Sequence, residues 1–216
     1  MPITLYESGE ERKTNKEKTS VVTGTVINNC DLIKQGKILV RIPSLDQELW
    51  ARLTAPGASS GAGLFYVPRP DDEVLVVLSG DEPVDAYIIG GLWNTQDSPP
   101  VSNPLEASTK RVIKTGLAGG VGHEVEFDDG PGQSISITTS TQQKIIIDPF
   151  KIELRNTAGT LKITLDNKTQ TISIAAAASL ELAAVGNIKL KAANIEIGDI
   201  VKTAKTSING KMVSIN

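Results

Sequence analysis

The sequence predicts an all-β protein in two parts, a small closed barrel followed by a stack of short strands that one copy of the chain cannot close. Three observations lead there. From Ser134 to Ile197 aliphatic residues recur in pairs two positions apart, which puts both members on one face of an extended chain. Before them, from Val21 to Trp93, five apolar runs are separated by turns rich in glycine, proline and polar residues. Aromatic residues make up only 4% of the chain, as suits a narrow stack without room for rings.

The pairs are Ile135 and Ile137, Ile145 and Ile147, Ile152 and Leu154, Ile163 and Leu165 with Leu161 before them, Ile172 and Ile174, Leu180 and Leu182, Ile188 and Leu190, and Ile195 and Ile197. From Ile172 they settle to intervals of eight, eight and seven residues, one short strand plus one tight turn. A solenoid that closes on itself needs about twenty residues or more per coil, so each repeat supplies only one wall. Left exposed, these side chains would forfeit on the order of 30 kcal/mol per chain, more than the roughly 5–15 kcal/mol that stabilises most domains. Three chains sharing the walls of a triangular β-prism resolve this, with the pairs along the axis as trimer core and backbone hydrogen bonds running between chains. Small residues at Ala175–Ala178, Ser179, Ala183, Ala184, Ala192 and Ala193 suit close approach in a narrow rod. An ordinary antiparallel sandwich or meander is the alternative, and would carry more large side chains at less even spacing.

The expected barrel strands are Val21–Asn28, Gly36–Pro43, Glu48–Leu53, Asp72–Leu78 and Ala86–Trp93. A long connection, Thr54–Asp71, carries Gly57, Gly61, Gly63, Pro68 and Pro70 before the fourth. Five short strands with one long connection suit a closed Greek-key barrel of the OB type. Residues 98–122 read as an extended linker, with Lys110–Lys114 as a candidate short strand and Gly116, Gly119, Gly120 and Gly122 marking a crossing of backbones. Residues 1–20, mixed in charge and poor in apolar side chains, read as a mobile arm. The resulting division is an arm over 1–20, a barrel over 21–97, a linker over 98–122 and a trimeric β-helical spike over 123–216.

Several motifs in this order resemble one family. They are Thr23-Gly-Thr-Val26, Gly36-Lys-Ile-Leu-Val-Arg-Ile-Pro43, Trp50-Ala-Arg-Leu53, Ala62-Gly-Leu-Phe-Tyr-Val67 with Pro68, Asp71-Asp-Glu-Val-Leu-Val76 and Ile89-Gly-Gly-Leu-Trp-Asn94. Together they look like the OB domain of the phage baseplate assembly protein V family, which includes VgrG-like central spikes of contractile injection systems. Gly122-His-Glu-Val-Glu-Phe-Asp-Asp-Gly130 resembles the segment where such spikes leave the barrel for an intertwined trimeric β-helix. The resemblance implies a homotrimer that caps an inner tube and pierces a target envelope, made in the cytoplasm and assembled in a baseplate. It also implies a separate hub protein, since the N-terminal stretch is far shorter than the family's hub region. A separate PAAR-like tip protein is implied as well, since the His-x-His pair of self-closing tips is missing.

Composition narrows the chemistry. A net charge of −3 disfavours nucleic acid as a partner, because phosphate binding needs a basic surface. The single cysteine, Cys30, offers no intrachain disulfide. The polar N-terminus lacks the apolar region of a signal peptide, and no apolar run reaches membrane-spanning length. His123 is the only imidazole and has no G-x-S-x-G motif beside it, so it reads as a hydrogen-bonding residue at a strand start. Asp71, Asp72 and Glu73, and Asp128 with Asp129, read as turn carboxylates without calcium-loop spacing. Gly116–Gly122 lacks the Gly-Lys-Ser/Thr ending of a phosphate loop. No catalytic, cofactor-binding or metal-binding residue is expected, and the protein reads as a structural component rather than an enzyme. Trp50 and Trp93 are expected in the barrel core or at a subunit contact, although stacking on an oligonucleotide or oligosaccharide in an OB groove is the alternative.

Overall fold

A computed structural model describes residues 19–33, 35–80, 85–116 and 122–198. Most of the expected arm, together with Gly119 and Gly120, lies outside them. The chain divides into two compact units, Met1–Val112 and Ile113–Asn216.

In the first unit the strands are β1 (Thr19–Asn28), β2 (Lys37–Ile42), β3 (Gln47–Leu53), β4 (Ala58–Ser59), β5 (Ala62–Gly63), β6 (Glu73–Ser79) and β7 (Asp85–Gly91). Five of them close a barrel in the order β1-β2-β3-β7-β6, and β6 returns to pair with β1 from Thr19↔Ser79 to Thr25↔Glu73. All pairings are antiparallel except β3 with β7, where Arg52↔Tyr87 and Leu53↔Ile88 run parallel. That order is the Greek-key barrel expected of an OB fold. Alternate residues of each strand fill it: Val26, Ile38, Val40, Ile42, Ala51, Val74, Val76, Leu78, Ala86 and Ile88 form one buried cluster. Branched aliphatics with stiff side chains suit a barrel this small. Gly24 lies among them because a Cβ there would sit 3.2 Å from the Arg41 carbonyl oxygen and 3.4 Å from Val76 Cγ2.

The long connection between β3 and β6 holds the β4–β5 hairpin. Gly63 has φ of +145°, and a Cβ there would overlap the Gly57 carbonyl, so only glycine closes this hairpin. Trp50 and Trp93 are 45% and 66% exposed, which corrects the barrel-core reading for both. Trp50 alternates with buried Ala51 on a period-two strand and therefore points outward.

The second sheet has seven strands in the order β14-β13-β12-β11-β10-β9-β8. They are β8 (Lys110–Lys114), β9 (Glu124–Asp128), β10 (Ser134–Thr138), β11 (Lys144–Ile147), β12 (Lys151–Arg155), β13 (Leu161–Asp166) and β14 (Thr171–Ala176). Residues 104–109 are turns, with Asn103 Oδ1 accepting from the Leu105 N–H, so the segment expected to be an extended linker is partly ordered into turns and a strand.

From β9 to β14 this is a meander, each strand paired antiparallel with the next in sequence. Its hydrogen bonds run within one chain, where the sequence reading placed them between chains. The reason is turn chemistry. Asp128, Thr139, Asp148, Asn156 and Asp166 each accept a backbone N–H from the turn that follows, at 2.8–3.1 Å. Four of these five turns also hold a residue at positive φ: Gln133, Gln142, Gly159 and Gln170. Such caps reverse the chain onto its own previous strand.

Beyond Ala176 the described residues form no strand within one copy, where strands are expected at Leu180/Leu182, Ile188/Leu190 and Ile195/Ile197 of a trimer. Bends occur at 177–178, 185–186 and 193. Four consecutive alanines, Ala175–Ala178, replace the capping side chain there.

Candidate functional site

Register aligns the aliphatic pairs of the meander into two continuous rows on one face. Phe127, Ile135, Ile147, Ile152, Leu165 and Ile172 make the first row. Val125, Ile137, Ile145, Leu154, Ile163 and Ile174 make the second. Because the side-chain period is two, a slip of one residue at any strand would break both rows. Ten of the sixteen residues expected at a trimer core are brought together here. The other six, Leu180, Leu182, Ile188, Leu190, Ile195 and Ile197, lie on the segment without strands and are exposed. Where Leu180 approaches the second row, a groove of about 520 Å³ is lined by Ile145, Leu154, Ile163 and Ile174.

The rows are uncovered in one copy. Ile145 and Leu165 are the least exposed of the ten, at 37% and 38%, and Ile172 the most, at 74%. Sequence reasoning missed Val125 and Phe127, although their i, i+2 spacing between Glu124, Glu126 and Asp128 carried the signal.

The opposite face is polar and better covered. Lys144, Arg155 and Lys162 align across β11, β12 and β13, beside a row in which Ser136, Ile146, Glu153, Thr164 and Ser173 align. Glu153 is the buried carboxylate of the described residues, with Lys151 Nζ at 3.0 Å and Arg155 Nε at 3.4 Å. The long stems of such cations cover apolar and polar neighbours alike.

His123 directly precedes β9. Its Nδ1 accepts the Ser140 N–H at 3.2 Å, and its own N–H donates to Thr115 Oγ1 at 2.9 Å, the strand-start role expected of it. Asp71 takes positive φ in a turn, and Asp72 Oδ2 accepts the Arg69 N–H. Among the described residues no cluster of three or more histidine, cysteine, aspartate or glutamate side chains is placed to hold a metal ion.

The fold defines a class first, an OB-type barrel followed by a sheet with one open apolar face. Residues 22–93 match the family model of the type VI secretion system/phage-baseplate injector OB domain. The barrel is similar to an injector OB domain, and the likeness to baseplate assembly protein V and VgrG-like spikes drawn from the sequence holds over it. That family is a structural domain of baseplates rather than a known family of enzymes, and the match supports a baseplate-associated structural role. No curated protein matches the chain. No helix of the described residues is long and apolar enough to cross a membrane.

Proposed function

We propose that three copies of this chain join through the two-row apolar face to form the central spike of a contractile tail or injection system. The spike caps the inner tube and is driven through the target envelope when the sheath contracts. The observation that carries this reading is the pair of rows running unbroken from β9 to β14 on a face that nothing in the described chain covers. A sheet with one apolar face needs a second layer against it. A stripe only two side chains wide fits the narrow wall of a three-sided prism better than the broad face of a sandwich. The ten aligned aliphatics and the six beyond Ala176 form the core of that prism. The injector OB domain supports placement in a baseplate, with a separate hub protein and a separate PAAR-like tip protein as neighbours. The protein is made in the cytoplasm and assembled into the particle, and a membrane enters only as the pierced target.

Native mass spectrometry and light scattering on the full chain test this. A species of three times the 22.9 kDa chain mass is expected. A compact monomer overturns the reading.

A second reading has one observation behind it. Trp50 stands on the barrel exterior opposite Leu39, and Arg52 on the same strand lies 5.8 Å from the Tyr87 ring centroid. An aromatic and cationic face of this kind suits an OB module for oligonucleotide or oligosaccharide. Salt-sensitive retention on single-stranded DNA or a glycan matrix, lost in Trp50→Ala, would favour it.

A further inference from the structure

We infer that the polar face of the second sheet binds a compact, multiply charged oxyanion, a diphosphate group, on a row of three cations that crosses β11, β12 and β13. The site lies within one meander and does not depend on the trimeric reading.

Register makes the row. Lys144 pairs with Arg155 and Arg155 with Lys162, so like charges stand directly opposite one another on adjacent strands. With strands about 4.8 Å apart, the two lysines flank the arginine at a separation of about 10 Å. Like charges so placed destabilise a sheet. Thr138 and Ala175, the next residues along the row on either side, bring no compensating charge. Among the described residues neither Lys144 nor Lys162 forms an ion pair.

Glu153 serves the row as a positioning residue. It is buried, with Lys151 Nζ 3.0 Å from one carboxylate oxygen and Arg155 Nε 3.4 Å from the other. The carboxylate meets the guanidinium on its Nε side, and among the described residues the Nη end donates no hydrogen bond. A guanidinium held in this way offers two parallel donors to an oxyanion, and a lysine on each side adds a point charge. Two buried polar atoms of this patch, Arg155 Nε and Thr164 Oγ1, lack hydrogen-bond partners, and Thr164 lies opposite Glu153. Buried polar atoms left in that state are uncommon and call for a bound ion or water.

The neighbouring charges limit the ligand's size. Glu124 and Glu126 stand on the same face, two strands from β11. A long polyanion would run into them, whereas a diphosphate needs only the three cations.

Isothermal titration calorimetry of the full chain with inorganic pyrophosphate, set against sodium chloride at matched ionic strength, tests this. One pyrophosphate per chain is expected. Arg155→Lys keeps the charge but loses the fork, and should weaken binding about tenfold. Lys144→Met with Lys162→Met should abolish binding while leaving Glu153 and its two cations in place, so that the sheet keeps its unfolding transition. Lys168→Met, in the turn between β13 and β14, is the control and should bind as the parent does. Heat no greater than that of the chloride control overturns the inference, as does undiminished binding in both row variants. Retention on poly(glycerol phosphate) without binding of pyrophosphate overturns it too, because the row would then be reading a polymer.

Discussion

Glu153 is 7% exposed, whereas Leu154, the next residue on the same strand, is 48% exposed. The usual order of burial is inverted, because Lys151 and Arg155 fold over the carboxylate while the leucine faces away with nothing above it. Glu153→Ala leaves two cations without their shared partner and should lower the sheet's stability by about 1–3 kcal/mol. Denaturant unfolding of Glu153→Ala, Lys151→Met and the double variant should show a coupling of about 1 kcal/mol. Additive effects would mean the pair contributes nothing.

Leu154 and Ile163 face each other across β12 and β13 in the second apolar row. Either residue changed to Asp places a charge in the proposed trimer core and should shift the protein from trimer to monomer. The barrel should keep its own unfolding transition. Ser173→Asp, on the polar face, is the control and should leave the oligomer unchanged. Light scattering and differential scanning calorimetry read both effects.

Gly24→Ala should selectively weaken the barrel. The added methyl meets the Arg41 carbonyl oxygen and the Val76 side chain inside a filled core, at a cost of about 1–3 kcal/mol. Gly61→Ala has open space around it but holds φ at +71°, so it should cost about 1 kcal/mol through the backbone alone. Thermal unfolding followed by calorimetry separates the two, and a Gly24→Ala barrel as stable as the parent would contradict the packing described here.

Asp31 gives the barrel an acid-sensitive loop. The Lys37 N–H, together with those of Ile33, Gln35 and Gly36, holds its carboxyl below the usual carboxylate range, with partial desolvation opposing the shift. A carboxylate whose folded value is depressed binds protons more readily when unfolded. Its stabilisation is therefore present above the unfolded value and lost as pH falls through the lower folded one. The barrel midpoint of Asp31→Ala should lie below that of the parent at pH 7, and the gap should close as the pH is taken below about 4. A gap independent of pH would show that the loop needs only the side chain's shape.

Much of the barrel could be read from the chain because each strand alternates one buried and one outward residue between strong turn signals. β2 and β6 show this from Ile38 to Ile42 and from Val74 to Leu78. The apolar rows were legible for the same reason, since a period of two reports which face a residue occupies. It does not report which strand lies beside it. That is why Leu180 to Ile197 read as strands like those before them, although one copy supplies them no neighbour. The capping roles of Asp128, Thr139, Asp148, Asn156 and Asp166 were visible as residue types, but their effect on pairing appears only when the turns close. The burial of Glu153 was hidden because its cover comes from cations two residues away on either side.

The self-closing turns of β9–β14 bear on how the proposed spike can change its reach. A meander leaves its panel on the same side only after an even number of strands, so gain or loss of a complete hairpin alters the panel by about 10 Å and keeps the exit direction. Loss of a single strand would send the polypeptide that follows Ala176 out of the opposite edge. Length in this part of the molecule is therefore quantised in hairpins.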